Sequence, residues 1–361
     1  MNIKGNLKYL LTGAFVSLTI YMFLAAFPTG PSMYFAPVWT TDIGTDIGSE
    51  TGANLAAPGQ SPQPFKLNKR FGYFTPTGSV TFSRETESRS SISSVGWAVY
   101  PDDAERTTVL NPDGSEKFTV EAPGFVHLDN DRTFLFLPGG DGISQYAEDG
   151  TRLWTREHTA PITAFNSSPA ATIIGYADGY LTAVRRDGSE LFSFYPGGSD
   201  MQVILGAAIS EDGSLAACVS GIDRQRFLLI KIKDGQFKII HHRWLEGNLR
   251  RQVYVDFEET GTHAFFECVE GLGIVDTAAP AVSIVPVRGK VIAVGTDAGT
   301  GLFTALTQDG QDCELVAIER PRYLVARTRF KATDAFLTQR GWTVYLGTDS
   351  KLSRIDIRGI E

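Results

Sequence analysis

The sequence predicts an all-β fold built from repeated units, and three observations support this class. From Phe65 onward, short segments rich in β-branched and aromatic residues follow one another, such as Thr133–Leu137, Ala171–Tyr176 and Phe227–Ile232. No amphipathic helical pattern interrupts these segments. Turn residues separate them at a regular interval, and the 37 Gly among 361 residues suit a chain with many tight turns.

The repeated unit is an apolar strand, an Asp-centred turn and a second strand. Its turns lie at Asp113, Asp149, Asp187, Asp234, Asp276, Asp309 and Asp349. Their spacing averages about 39 residues, which is typical of a four-stranded β-propeller blade. Asp-Gly suits a tight hairpin because both residues tolerate positive φ. The turns predict a seven-bladed β-propeller, with six or eight blades possible, and a β-sandwich would not need the repeated unit.

The predicted blades span residues 65–121, 122–158, 159–198, 199–246, 247–287, 288–320 and 321–358. The first is long, and its polar run Glu85–Ser94 is interpreted as an insertion. A strand within Phe65–Phe74 is expected to close the ring by pairing with the last blade.

The N-terminal segment, residues 1–27, predicts a signal anchor. Lys4 and Lys8 precede an uncharged stretch, Tyr9–Phe27, whose length of roughly 28 Å as a helix is enough to cross a membrane. The positive flank predicts a single-pass inner-membrane protein with its C-terminal body in the periplasm. The alternative is a signal peptide cleaved near Leu24-Ala25-Ala26, which would secrete the body to the periplasm.

Residues 28–64 are predicted to be a linker, and residues 65–361 the propeller domain. The linker contains six prolines and no Lys, Arg or His. Its apolar residues are too few and too irregularly spaced to form a core.

Several motifs resemble known propeller repeats. The segments that begin at Asp149-Gly150 and Asp187-Gly188, together with Gly175–Val184, are similar to the quinoprotein-like (PQQ-type) repeat. Ile209–Ala216 resembles a turn of WD40-like propellers. The resemblance implies the propeller architecture. It also implies that no cofactor is required, because the PQQ-type outer-envelope assembly scaffolds lack one. Those scaffolds are lipoproteins, whereas this apolar run has no Cys near its end.

The sequence offers little material for chemistry, so no catalytic, cofactor-binding or metal-binding residues are predicted. Cys218, Cys268 and Cys313 are widely spaced and are expected to be buried small apolar residues. The net charge of −8 argues against nucleic acid as a partner. Candidate contacts for a protein partner are His241, His242, Arg243, Trp244, Arg250 and Arg251.

These observations favour a non-catalytic, membrane-anchored scaffold whose partners are envelope or membrane proteins, with residues 9–27 in the inner membrane. A rigid propeller can present loops to partners without any residue needing chemistry. The alternative is a hydrolase, lyase or ligand sensor with its site at the mouth of the central channel.

Overall fold

The structure, a computed structural model, describes residues 12–22, 32–47, 62–233 and 235–360. A short helix, α1, spans residues 12–22. Within the described part of the chain, no helix is long and apolar enough to cross a membrane. The predicted span extends further, and its residues 9–11 and 23–27 lie outside the described residues.

The first half of the ring contains four blades. Blade 1 consists of β2 (Gln63–Leu67), β3 (Arg70–Phe74) and β4 (Val80–Glu85). Blade 2 consists of β5 (Arg89–Ser93), β6 (Gly96–Tyr100), β7 (Thr107–Leu110) and β8 (Glu116–Val120). Blade 3 consists of β9 (Phe125–Asp129), β10 (Arg132–Phe136), β11 (Gly142–Tyr146) and β12 (Arg152–Glu157). Blade 4 consists of β13 (Ile162–Ser167), β14 (Ala171–Tyr176), β15 (Leu181–Arg185) and β16 (Glu190–Phe194).

The second half also contains four blades. Blade 5 consists of β17 (Ile204–Ile209), β18 (Leu215–Ser220), β19 (Arg226–Lys233) and β20 (Gln236–Trp244). Blade 6 consists of β21 (Val255–Phe257), β22 (His263–Cys268), β23 (Gly271–Asp276) and β24 (Val282–Val285). Blade 7 consists of β25 (Lys290–Thr296), β26 (Leu302–Asp309), β27 (Asp312–Glu319) and β28 (Tyr323–Lys331). Blade 8 consists of β29 (Ala335–Arg340), β30 (Thr343–Thr348), β31 (Lys351–Gly359) and β1 (Met33–Asp42).

The described residues therefore form an eight-bladed β-propeller, and the prediction of seven blades is wrong. The first predicted blade, 65–121, is two separate sheets, blades 1 and 2. Blade 1 has no Asp-Gly turn; its first hairpin turns at Asn68, where φ is +51°. Counting Asp-centred turns therefore missed it. The polar run Glu85–Ser94 is not an insertion, because it contains the connection to blade 2 and the whole of β5.

The last predicted boundary is also shifted, because Tyr323–Lys331 is the outermost strand of blade 7 rather than part of blade 8. The weaker turns at Asp309 and Asp349 connect the second and third strands of their blades, whereas the three clear Asp-Gly turns connect the third and fourth. The spacing between the Asp-centred turns was therefore measured across two kinds of hairpin, which connect different pairs of strands within a blade.

The three clear turns share one mechanism. Gly114, Gly150 and Gly188 have φ between +81° and +84°. Each preceding Asp accepts a hydrogen bond on Oδ1 from the backbone N–H two residues later, at 2.8 to 2.9 Å. Only the glycine takes up positive φ, and the Asp acts through its side chain. A β-bulge follows each turn in the ladder, as expected of a turn that ends in a left-handed glycine.

The ring closes through the N-terminal strand. β1 pairs antiparallel with β31, from Met33 opposite Gly359 to Asp42 opposite Lys351. Met33 and Phe35 pack against the core between blades 7 and 8. Closure therefore does not come from Phe65–Phe74. The strand that closes the ring, β1, lies within the predicted linker. The alternating side chains of β1 supply an apolar face that the irregular composition of residues 28–64 concealed. Linker residues 28–31 and 48–61 lie outside the described residues.

The first strand of each blade lies innermost. β5 contacts β9, β13 contacts β17, β17 contacts β21, and β25 contacts β29. Apolar side chains fill the spaces between neighbouring blades, as in the stacked rings of Phe227 and Phe266, whose centroids are 4.3 Å apart. The inner strands thus surround a central channel, whose two mouths are formed by the beginnings and the ends of these strands.

Candidate functional site

The predicted contact residues lie on or just after β20, the outermost strand of blade 5. Trp244 is paired with Arg226 and His242 with Leu228, while His241 is paired with Leu229 and Arg243 with Phe227. Paired residues share a face of the sheet, so His242 and Trp244 face one way and His241 and Arg243 the other. The two histidines therefore do not converge.

Trp244 is the centre of a cluster at the junction of blades 4 and 5. The Cζ atoms of Arg224 and Arg226 lie 4.6 Å and 5.4 Å from the centroid of its ring. Arg226 also donates a hydrogen bond from Nη2 to the carbonyl oxygen of Pro196. The indole remains 40% exposed. Two cations held against an exposed indole form a rigid surface feature.

Arg250 and Arg251 lie apart from this cluster. Arg251 forms two hydrogen bonds with the carboxylate of Glu267, at 2.6 Å and 3.0 Å. Glu267 is buried and also accepts hydrogen bonds from the backbone N–H groups of Tyr254 and Val291. The ion pair with Glu267 raises the pKa of Arg251. Arg251 thus completes a structural network, while Arg250 is exposed.

Two surface residues were missed by the sequence analysis. Phe237 and Ile239 are 39% and 37% exposed and lie on the same face of β20 as Trp244. The ring of Phe237 is 4.9 Å from that of Phe194 in blade 4. The alternation of apolar residues along an outermost strand was the available signal. We call this surface the rim patch and define it by Arg224, Arg226, Phe237, Ile239 and Trp244.

The central channel has a distinct character at each mouth. Where the inner strands begin, a cavity of about 520 Å³ is lined mostly by apolar side chains, including Phe125, Phe136 and Phe165, with Arg89 at its edge. We call it the aromatic mouth. Where the inner strands end, a cavity of about 370 Å³ is lined by polar groups, and we call it the acidic mouth. Its carboxylates are Asp129, Glu211, Asp256, Glu258 and Glu259.

Asp256 has the most perturbed carboxyl group of the acidic mouth. Burial raises its pKa to about 6, against the hydrogen bonds that it accepts from Phe257 N–H and the Tyr254 hydroxyl, and Asp129 and Glu211 add to the rise. The Tyr254 hydroxyl lies 2.9 Å from Asp256 Oδ2. A carboxyl group whose pKa is raised by burial and by neighbouring carboxylates is a feature that active sites also show.

The negative charge of Glu258, two residues after Asp256, is already balanced by its partners. It is fully buried, pairs with Arg320, and lies 2.8 Å from His263 Nδ1. Burial works to raise its pKa, but the His263 and Thr262 hydrogen bonds and the Arg320 charge hold it below its usual value. Across the described residues, no three His, Cys, Asp or Glu side chains are grouped to hold a metal ion. Cys218, Cys268 and Cys313 are buried free thiols.

Known proteins resemble this chain at two levels. An uncharacterized protein of Treponema pallidum (strain Nichols) is 42% identical over 364 residues, which cover 100% of this chain and 97% of that protein. At the level of fold, BamB from Moraxella catarrhalis has a TM-score of 0.58 at 11% identity, over 89% of this chain and 99% of that one.

A chain of the mitotic checkpoint complex has a TM-score of 0.52 at 13% identity, over 91% of this chain and 94% of that one. These two structural likenesses concern the fold alone. A family model described as a beta-propeller protein matches residues 1–361. The chain belongs to this beta-propeller family.

Proposed function

We propose that this propeller is a non-catalytic scaffold that binds a protein partner through the rim patch. The observation that carries the proposal is the exposed Trp244 with Arg224 and Arg226 against its ring, on the same face of β20 as the exposed Phe237 and Ile239. Tryptophan and arginine are the residues that most often dominate the energy of protein interfaces. The fold likeness to BamB and to a chain of the mitotic checkpoint complex is consistent with such a role.

We further propose that the scaffold works in the cell envelope, anchored in the inner membrane through residues 9–27, with partners among envelope or membrane proteins. The support is the uncharged run behind Lys4 and Lys8. Fractionation of the full-length protein, and of a variant that begins at residue 32, tests the proposed membrane location. Full-length protein recovered without membranes and with unchanged mass would contradict both the anchor and export by a cleaved signal.

Site-specific cross-linking tests the scaffold. A photoreactive amino acid replaces Ile239 in the rim patch or, as the control, Trp342, which is 47% exposed in blade 8. We expect a discrete cross-linked partner from position 239 and a loss of that product when Trp244→Ala is added. If position 239 gives no discrete product, or gives the same product as position 342, the rim patch is not the interface.

The second candidate function is a ligand sensor or hydrolytic enzyme with its site in the channel. It is favoured by the convergence of five carboxylates at the acidic mouth, among them Asp256. Against it, Glu258 is occupied by Arg320 and His263.

A further inference from the structure

The aromatic mouth has the size and lining of a small-molecule site. Its volume of about 520 Å³ lies within the range of pockets that bind drug-sized ligands. The rings of Phe136 and Phe165 meet edge to face with centroids 5.2 Å apart, and Phe125 contributes a third ring to the wall. Such walls suit a planar apolar group, because aromatic rings favour edge and offset contacts.

Two of the inner strands that border this cavity contain β-bulges. The ladder of β13 shifts register between Ile162 and Ala164, and that of β17 between Ile204 and Gly206. The bulged residues, Thr163 and Leu205, both line the cavity. The two bulges thus lie at corresponding positions of neighbouring blades, and bulges are common beside functional sites.

The polar groups at the edge of the cavity are hydrogen-bond donors. Arg89 donates a hydrogen bond from Nε to the carboxylate of Asp102, and its Cζ lies 4.2 Å from the centroid of the Phe125 ring. Among the described residues, the two terminal nitrogens of Arg89 have no hydrogen-bond partner. Gln252 extends its side-chain amide across the cavity to the carbonyl oxygen of Thr163, at 2.8 Å. An unoccupied guanidinium edge above an apolar cavity favours a ligand that ends in a carboxylate.

The distribution of charge along the channel also favours the aromatic mouth over the acidic mouth as a site for an anion. Lys66, on the inner strand β2, donates a hydrogen bond to the carbonyl oxygen of Ser90, and the neighbouring Arg89 forms an ion pair with Asp102. The carboxylates of the lumen concentrate at the opposite mouth. An anion entering the channel is therefore repelled less at the aromatic mouth than at the acidic one.

We propose that the aromatic mouth binds small aromatic carboxylic acids, with the ring packed against the exposed sides of the phenylalanines and the carboxylate against Arg89. This inference takes the ligand-sensor form of the second candidate function but places the site at the aromatic mouth instead of the acidic one. It is independent of the rim patch, so either proposal can fail alone.

Titration calorimetry with 2-naphthoate tests the site, and 2-naphthylamine, the same ring without the negative charge, is the matched ligand. We expect 2-naphthoate to bind at least about tenfold more tightly than the amine. Arg89→Gln should remove that preference, and Thr163→Leu, which places a larger side chain in the lining of the cavity, should reduce the affinity for both ligands. Trp342→Ala is the control and should change neither.

The proposal is overturned if 2-naphthoate does not bind at about 5 mM, if the amine binds equally well, or if binding survives both substitutions. The same carboxylate chemistry can also be presented by a protein chain end. A pentapeptide that ends in phenylalanine, with its carboxyl group free or amidated, distinguishes the two sources. Binding of 2-naphthoate without the free peptide assigns the site to free acids, and binding of both extends it to chain ends.

Discussion

At the scale of single residues, Asp256 joins the two ends of the channel. It lines the acidic mouth, and its hydrogen-bond partner Tyr254 lines the aromatic mouth two residues earlier on the chain. Burial and the charges of Asp129 and Glu211 raise the free energy of its ionised form and so raise its pKa. The folded protein therefore holds a proton at this position at pH values where the unfolded chain has released it.

This difference predicts a pH-dependent stability. Because the folded-state pKa is raised from 3.8 to about 6, the contribution of Asp256 is most favourable below pH 4 and is lost as the pH rises through 6. Asp256→Asn keeps the shape without the charge. We expect the variant to equal the wild type near pH 4 and to be more stable by about 1–3 kcal/mol above pH 6.5.

Chemical denaturation between pH 4 and pH 8 measures this difference. Asp312→Asn is the control, because that carboxylate is 77% exposed in a surface ion pair with Lys331 and should change stability by less than about 0.5 kcal/mol at any pH. A stability difference for Asp256→Asn that stays constant across the range would contradict the account of its pKa.

At the scale of elements, strand β1 decides whether the ring is closed. Its ladder with β31 and the packing of Met33 and Phe35 against the core of blades 7 and 8 are lost together if it is removed. We expect a protein that begins at Ile43 to melt about 5–15 °C below one that begins at Ser32. Differential scanning calorimetry of the two proteins measures this, and equal melting temperatures would show that β1 contributes nothing to closure.

The elements also show how far sequence reasoning reached. Strong strands and the Asp-Gly hairpins were predictable because turn chemistry and β-propensity are local properties. Blade 1 was missed because it turns at Asn68 instead of an Asp-Gly pair. β1 was missed because its apolar face becomes meaningful only against β31, at the other end of the chain.

The site was less predictable than the fold for the same reason. Trp244 was found on its own strand, but Arg224 and Arg226 joined it only through the register of β19 and β20. The aromatic mouth combines side chains from Arg89 to Val255, which belong to five different blades or their connections. No local pattern in the sequence records that juxtaposition.

At the scale of the whole molecule, a closed ring gives every blade two neighbours, so no blade should open alone. Three buried thiols report on this: Cys218 in blade 5, Cys268 in blade 6 and Cys313 in blade 7. Under native conditions we expect maleimide to label all three at rates within about threefold of one another, because each requires global opening.

In the protein that begins at Ile43, Cys313 should label at least about tenfold faster than Cys218, because it belongs to the core that β1 covers. Peptide mass spectrometry over a time course measures the three rates. Uniform labelling in the shortened protein would mean that the ring does not unfold locally from its seam.

Ring closure by β1 also sets the order of assembly during translation. Among the strands of the described residues, β1 is synthesised before all the others and its partner β31 after all of them, so β1 is the last to be paired. Until then β1 is an unpaired edge, open to strands of other nascent chains. Pro37 and the bulge beside it interrupt that edge and so reduce the chance of a wrong pairing while the remaining blades are being made.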